Sequence, residues 1–587
     1  MNIHEKVLWQ LADTLRSACA GSEAVALLLP FIAWWAIQEK GLLPQHLHLE
    51  EQIGKELSQI LPMLRQLQSH APAAFIDEGA YKVLDTARDL FPLMKKVVEL
   101  GKQGLLSSFS ADDIYYWAAD KNSPLCLAPT LADLVIALLD PADGYSVYAP
   151  WEHSGQLAAR ARRHGYEVLV ETPLPLLAAQ VLTLTSLEDW QVLSGDPVQA
   201  PRALEHGRLK RFASAIAVPP MGIRYGREVV ESDLFGRFTE KTVSGSVLQL
   251  QHLMAQTAGR VIAVVPNSVL FSVGAERSFR QELIERGAIE AVIALPSGLL
   301  TGSAMPTSVL VLNTKKQSQQ ICFVNADSEY FCTSAVRKRA ELTHIDVLVK
   351  LAKGVETSTS SVTVRPEQVR SKDFNLEVGH YVLDDTAQKL EQILADLPLV
   401  RLGEHVEVIR SRQHSTSSSG VAVREVQASD IPDFGAIVSA SKDSLFDLGS
   451  PKAQTYFLKA GDILLAIKGS VGKVGILTKA PPAGEGGWVA GQSFVVLRSM
   501  NSASYESKAL LVYLRSEIGQ ALLSRLVVGA SMPTIQLAPL KDLCIPCLSL
   551  ETTDKASQIF EHEVRIQKEI EALRSKQSDL ASALWIL

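Results

Sequence analysis

Cysteine is scarce in this chain, with six in 587 residues, scattered rather than framed. A fold built on disulfides is excluded by that count, and a reducing compartment, the cytoplasm, is expected. Cys544 and Cys547 form a lone C-x-x-C with Pro546 between them, no second pair and no histidine nearby. They are expected to be buried strand-end residues, and no metal site is predicted. Long apolar runs are also missing. No uninterrupted stretch reaches the ~18 residues of a membrane span, and the first residues lack a basic segment leading into an apolar core, so no membrane association is expected. Positive charge is in deficit as well. The net charge of −7 argues against a surface that is basic throughout. The deficit is uneven, however, because residues 399–550 hold 15 Lys and Arg against 12 Asp and Glu. That mild asymmetry is compatible with DNA binding by this region and does not prove it.

What the chain does have is core. At 47% hydrophobic and 21% charged it can bury a large interior and should divide into roughly three to five domains. Residues 5–16 repeat apolar side chains at helical spacing and 25–37 are almost wholly apolar, so 1–120 are expected to form a helical N-terminal domain. From 121 to 350, short β-rich runs such as 261–265, 291–295 and 308–312 alternate with helical segments, which predicts an α/β domain on a largely parallel sheet. The Ser/Thr-rich stretches 356–363 and 414–419 read as exposed loops, the first within a linker and closing segment over 351–398. Short β-type runs with many glycines return over 399–550. The final segment, 551–587, is a helix whose Ala556, Ile559, Glu563, Ile566, Ile570, Leu573, Gln577, Leu580, Leu584 and Leu587 follow a 3-4 spacing. That heptad seam asks for a partner helix, although Trp585 and Ile586 fall off the pattern.

The stretch from Val261 to Lys316 (VIAVVPNSVLFSVGAERSFRQELIERGAIEAVIALPSGLLTGSAMPTSVLVLNTKK) carries Val-Pro-x-x-x-Leu-Phe after a strand, a helix with Arg280, and Leu295-Pro296 before another strand. Together with Asp373-Phe-Asn-Leu-Glu-Val-Gly-His-Tyr381, it resembles the catalytic domain of modification (M) subunits of type I restriction-modification systems, the adenine-N6 DNA methyltransferase family. The likeness extends over residues 1–385. Downstream, Leu399-Val-Arg-Leu-Gly-Glu404, the run Ala460–Gly475, Gly491-Gln492 and Ala530–Gln536 are similar to half of a specificity (S) subunit, a target recognition domain. The terminal helix then corresponds to the spacer helix of such subunits. The resemblance implies a multidomain α/β protein: a helical N-terminal domain, a Rossmann-like class I methyltransferase domain, an α/β target recognition domain and a C-terminal coiled-coil helix.

At the positions that carry chemistry the likeness thins. Where the family has D-P-x-x-G-S-G-G to receive S-adenosylmethionine, this chain has Ala149-Pro150-Trp151-Glu152-His153-Ser154-Gly155-Gln156. Pro150, Ser154 and Gly155 match, whereas Ala149 replaces the acid and Trp151, Glu152, His153 and Gln156 crowd or recharge the loop. Glu171 falls where an acid holds the cofactor ribose and Asp196 where one lies near its adenine. Where the family has N-P-P-F/Y to grip a flipped adenine, there stand Val218-Pro219-Pro220-Met221. Val218 has no amide to hydrogen-bond the target amine, and Met221 offers no ring to stack. Ala128-Pro129 stands for the usual Thr-Pro.

These substitutions imply a DNA-binding component in a bacterial restriction or phage-defence system, with its methyltransferase site degenerate and no cofactor. Two alternatives stay open: an active adenine-N6 methyltransferase using S-adenosylmethionine in an atypical pocket, and a protein scaffold in a defence complex. The expected partners are double-stranded DNA and, through the C-terminal helix, a second copy or an S-type or M-type subunit. Arg410, Arg412, Lys468, Lys473 and Gln492, in or beside turns of the recognition module, are the candidate DNA contacts.

Overall fold

The computed structural model describes residues 3–15, 24–67, 70, 90–106, 112–113, 126–383, 394 and 397–582, apart from 186–189, 240, 301–302, 304, 316–317, 337–338, 412–419, 450–452, 501–505, 529–532 and 548. The chain folds as two units, Met1–Leu383 and Asp384–Leu587. Arg412, Leu584 and Leu587 among the expected site and seam residues lie outside the described residues.

The first unit begins with helices Ile3–Asp13, Ala24–Glu39, Leu57–Leu67 and Phe91–Lys102. Phe31, Trp34 and Leu93 form their core with no exposure to solvent. Val181 and Leu184, from helix Pro175–Leu184, complete that core.

The rest of the unit is a sheet between two helical layers. In chain order its strands are β1 (Ser146–Pro150), β2 (Glu167–Thr172), β3 (Trp190–Ser194), the small hairpin β4 (Leu204–Glu205) and β5 (Arg208–Leu209), then β6 (Phe212–Ala217), β7 (Thr257–Pro266), β8 (Ile289–Ala294), β9 (Thr307–Asn313) and β10 (Ile321–Asn325). A second hairpin, β11 (Cys332–Val336) and β12 (Arg339–Leu342), precedes β13 (Ser361–Val364). Nine of them form one sheet in the order β13-β10-β8-β9-β7-β6-β1-β2-β3. β1, β2, β3, β6 and β7 run parallel, and β9 is antiparallel to both β7 and β8. Alternate residues face opposite layers: Val147, Ala149, Ile262 and Val264 join one apolar core, Tyr148, Val261, Ala263 and Val265 the other. The strand order reverses at β1, which makes the carboxyl ends of β1 and β6 the usual ligand position in such sheets. Residues 150–155 and 218–221 both follow those ends.

The expected linker over 351–398 is corrected. Its Ser/Thr-rich part contains β13, which pairs antiparallel with β10, because Val362 and Val364 alternate inward on an edge strand while the hydroxyl residues form the turn before it. The following segment is also structural. The guanidinium of Arg280, nearly fully buried, donates to the carbonyls of Val269, Ser272 and Phe374, and Tyr381 stacks on Phe323 at 4.0 Å.

The second unit contains β14 (Leu399–Arg401), β15 (Val406–Arg410), β16 (Val421–Val426), β17 (Lys442–Phe446), β18 (Ile463–Ala466), β19 (Val474–Ile476), β20 (Trp488–Ala490), β21 (Phe494–Ser499), β22 (Val527–Val528), β23 (Thr534–Ile535) and β24 (Cys544–Pro546). They form a four-stranded sheet β15-β21-β18-β19, a three-stranded sheet β17-β16-β20 and the short pairs β14-β24 and β22-β23. Cys544 and Cys547 are exposed, which corrects the expectation of burial. β24 pairs with β14 as an edge pair and leaves the Cys544 side chain in solvent. At ~3.3 Å per residue an extended C-x-x-C holds its Cα atoms ~10 Å apart, too far for a disulfide.

The last helix, Leu550–Ser582, has two faces. Ala556, Phe560 and Val564 pack on the unit's own core, and Gln567 binds the backbone of Ala436 in both directions. The burying face therefore runs through Phe560, which the heptad seam omits. Ile559, Ile566, Ile570, Leu573 and Leu580 of the seam are exposed.

Candidate functional site

The turn that leaves β1 is strained and filled. Trp151 takes a left-handed φ of 57° and is buried, with its indole N–H lacking a hydrogen-bond partner among the described residues. Gly155 also has positive φ, and a Cβ there would meet the carbonyl oxygen of Ala178 at 2.9 Å, so only glycine fits. Between them the carboxylate of Glu152 accepts from the backbone and hydroxyl of Ser154 and from the backbone N–H of Leu157 at 2.6–3.1 Å. It thus occupies the start of helix Gln156–Arg163, where unpaired N–H groups would otherwise attract an anionic ligand. Burial raises its pKa against those hydrogen bonds. His153 contacts the Thr172 hydroxyl through Nδ1, and burial lowers its pKa. Gln156 is turned inward, its amide bonding the backbone of Leu127 on both sides. Ala149 is a core residue and Pro150 ends the strand.

Glu171, at the carboxyl end of β2, has no exposure. Its carboxylate accepts from the Tyr148 hydroxyl at 2.7 Å and from the backbone N–H groups of Arg202 and Ala203. Burial raises its pKa, opposed by those same donors. The Tyr148 hydroxyl lies 3.0 Å from His252 Nε2, and His252 Nδ1 lies 3.0 Å from Arg237 Nη1. Because arginine can only donate, Nδ1 accepts, Nε2 carries the proton and donates to Tyr148, and Tyr148 donates to Glu171. Burial and the neighbouring guanidinium hold His252 well below the ordinary histidine pKa, consistent with that neutral tautomer. Arg237 is anchored by Asp233 at 2.8 Å and by the carbonyls of Pro197 and Val198.

Asp196, half-buried, accepts from the backbone of Val198 and from the Tyr225 hydroxyl at 3.2 Å. Tyr225 follows the Val218–Met221 turn, so the two segments expected to face cofactor and base are tied together. Val218 and Met221 pack against the apolar core, Pro219 is buried, and the carbonyl of Pro220 accepts from the Gln249 amide at 3.1 Å. Tyr148, Tyr225, Arg237, Gln249 and His252 were missed from sequence. A signal existed for two of them: Gln249 and His252, with Gln256, break the apolar helix Gly245–Gln256 at helical spacing.

In the second unit the candidate DNA contacts converge. Arg410 ends β15, Gln492 precedes β21, Lys468 follows β18 and Lys473 precedes β19, and the pairing puts all four at one end of the four-stranded sheet. The backbone hydrogen bond from Ile467 to Ser493 makes Lys468 and Gln492 neighbours. Arg410, Lys468 and Gln492 are exposed, while Lys473 is half-buried and donates to the carbonyl of Ala428. Among the described residues no cluster of His, Cys, Asp and Glu is arranged to hold a metal, and no helix is long and apolar enough to cross a membrane.

Residues 129–390 match the family model described as N-6 DNA Methylase. The chain is 28% identical over 277 residues to the type I restriction enzyme MjaVII methylase subunit of Methanocaldococcus jannaschii, covering 42% of this chain and 47% of that protein. It is 27% identical over 146 residues to the type I restriction enzyme MpnII methylase subunit of Mycoplasma pneumoniae, covering 25% and 26%. The matches thus span half or less of the length of these curated relatives. Among solved structures, the type I restriction-modification system methyltransferase subunit from Streptococcus thermophilus aligns with a TM-score of 0.55 at 19% identity, over 65% of this chain and 99% of that one. That likeness is one of fold.

Proposed function

From the match of residues 129–390 to the N-6 DNA methylase family model and their similarity to type I methylase subunits, we propose that this chain binds DNA in a sequence-selective way and has lost methyl transfer. The observation that carries the second half is the inward engagement of the donor-site acids. Glu171 already accepts from Tyr148 and two backbone donors, and Asp196 is tied to Tyr225. S-adenosylmethionine does not fit these residues: its ribose and adenine would need acceptors that already have donors, and Trp151 with Glu152 fills the loop that glycines open in the family. No chemical step is therefore derived through the cofactor. The base side agrees, since Val218 supplies no amide and the Pro220 carbonyl already has a donor. The first half is supported by the second unit, a target-recognition-like module whose exposed Arg410, Lys468 and Gln492 gather at one sheet end. Cation and amide side chains in such a place suit phosphate and base-edge contacts.

The alternative of an active enzyme draws on the retention of Glu171, Asp196, Pro219 and Pro220, and requires the Trp151 loop to rearrange. Incubation of the full chain with DNA and radiolabelled methyl donor separates the readings. The account expects duplex retention without label transfer; label in adenine would establish the alternative.

Pairing through the last helix belongs to the same proposal. Beyond Gln567 the described apolar residues of the seam all lie in solvent, and a lone helical arm of that length is marginal in water. A second copy, or an S-type or M-type subunit, is proposed to cover Ile566, Ile570, Leu573 and Leu580. Replacing Ile566 and Leu573 by Asp is expected to leave the unit folded, since both are exposed, and to give monomers in sedimentation. An unchanged assembly state would remove the pairing.

A further inference from the structure

The methylase-domain unit carries a second charged surface that the donor and base sites do not use. Residues 202–211 contain Arg202, Arg208, Lys210, Arg211 and His206 against one acid, Glu205, in a chain of net charge −7. They form the β4–β5 hairpin, whose turn places His206 at φ 50° and Gly207 at φ 75°. Two successive positive φ values mark a tight two-residue turn matched to strand twist, so the tip is a defined projection. The foot is fixed by the buried Gln256, whose amide donates to the carbonyls of Ala203 and Lys210.

No member of this cationic set has a carboxylate within ion-pair distance among the described residues. Glu205 faces Arg208 across the hairpin without pairing with it. Arg211 donates to the carbonyl of Thr257, and the Lys210 ammonium lies 5.2 Å from the Phe212 ring centre. Arg202, Arg208 and Arg211 are exposed. By contrast, Arg160 is matched by Asp112 and Asp133 and Arg260 by Glu290. Lys210 and Trp190 line a cavity of about 370 Å³ with Ser146, Glu167 and Phe212, where β1, β2, β3 and β6 begin. Lys210 thus lies where these strands begin, while at the other end of the segment the backbone N–H groups of Arg202 and Ala203 donate to Glu171.

We infer that the β4–β5 hairpin is a phosphate-contacting surface for duplex DNA, separate from the recognition module and indifferent to sequence. Arg208 on the hairpin, with Arg202, Lys210 and Arg211 on its flanks, forms a cationic stretch that suits a regular polyanion, and arginine presents its donors in the fork that phosphate oxygens accept. The choice of DNA over an acidic protein rests on the DNA-binding reading above.

The test uses the full chain, a fluorescent duplex of random sequence, and the double substitution Arg202→Gln with Arg208→Gln. Both residues are exposed, so thermal unfolding should not change. Affinity is expected to fall about 10-fold at low salt, with the slope of log affinity against log salt reduced by about two, and Arg208→Lys alone should retain most of the binding. Unchanged affinity and slope would overturn the inference while leaving recognition by the second unit standing. Loss of binding in this variant together with no sequence preference in the parent would support the hairpin and sink the recognition reading. If only retention on polyglutamate is lost, the inference is overturned and the surface serves an acidic protein; if the parent holds no duplex, both fall.

Discussion

The donor site of the first unit and the sheet end of the second unit are both polar, and they treat their polar atoms in opposite ways. Around Glu171 the polar side chains are engaged inside the protein, through a chain from Arg237 through His252 and Tyr148. Around Lys468 and Gln492 the side chains lie in solvent. A group saturated internally contributes to folding and has nothing left for a ligand; one left solvated contributes little to folding and remains available. The proposed function rests on this contrast, with structure as the role of the first region and recognition as that of the second, although the residue types in the first are the ones a cofactor would want.

The largest expected effect comes from breaking the saturated side. Glu171→Ala would leave the Tyr148 hydroxyl and two backbone N–H groups without an acceptor in the interior, at a cost of about 3 kcal/mol or more. Chemical denaturation should report that loss with duplex binding unaltered; a stable Glu171→Ala protein would mean that the carboxylate faces a ligand site after all.

The solvated side should answer in reverse. Lys468→Ala with Gln492→Ala is expected to weaken preferred-site binding by about 1–3 kcal/mol for each base edge no longer read, while folding stability stays within about 0.5 kcal/mol. Competition between preferred and random duplexes reads the difference, and retained preference would take these two residues out of the readout.

The smallest effect sharpens the comparison through pH. His252 faces Tyr148, Arg237 and the edge of Trp151, and its folded pKa lies well below the ordinary value. The unfolded chain binds a proton near pH 6.5 while the native state does not, so this stability is complete above about pH 6.5 and declines as pH falls toward the folded pKa. His252→Gln should flatten that limb between about pH 6.5 and 5 in urea titrations. An unchanged limb would place its origin elsewhere, with Glu171 and Glu152 acting in the opposite sense because their pKa values are raised.

Composition made the layers of this molecule legible, because near-continuous apolar runs such as 261–265 and 308–312 report burial on both faces. It does not report strand direction, and the antiparallel β9 was invisible for that reason. β13 was hidden by composition, since an edge strand needs apolar residues on one side only. The terminal helix misled in a different way: its regular seam drew attention from Phe560, a single large side chain that fixes the helix to its own unit. At the site, motif comparison located Glu171, Asp196 and Val218–Met221 but gave no orientation. That depended on Tyr148, Tyr225, Gln249 and His252, far away in sequence and outside any motif.

The most direct test of the contrast is titration calorimetry of the full chain with S-adenosylmethionine, alone and in the presence of duplex DNA. With Glu171 and Asp196 engaged internally and Trp151 in the loop, no heat of binding is expected at low-micromolar donor, an affinity at least about 100-fold below that of a working pocket. Saturable low-micromolar binding under either condition would contradict the account and make the first unit a functioning donor site.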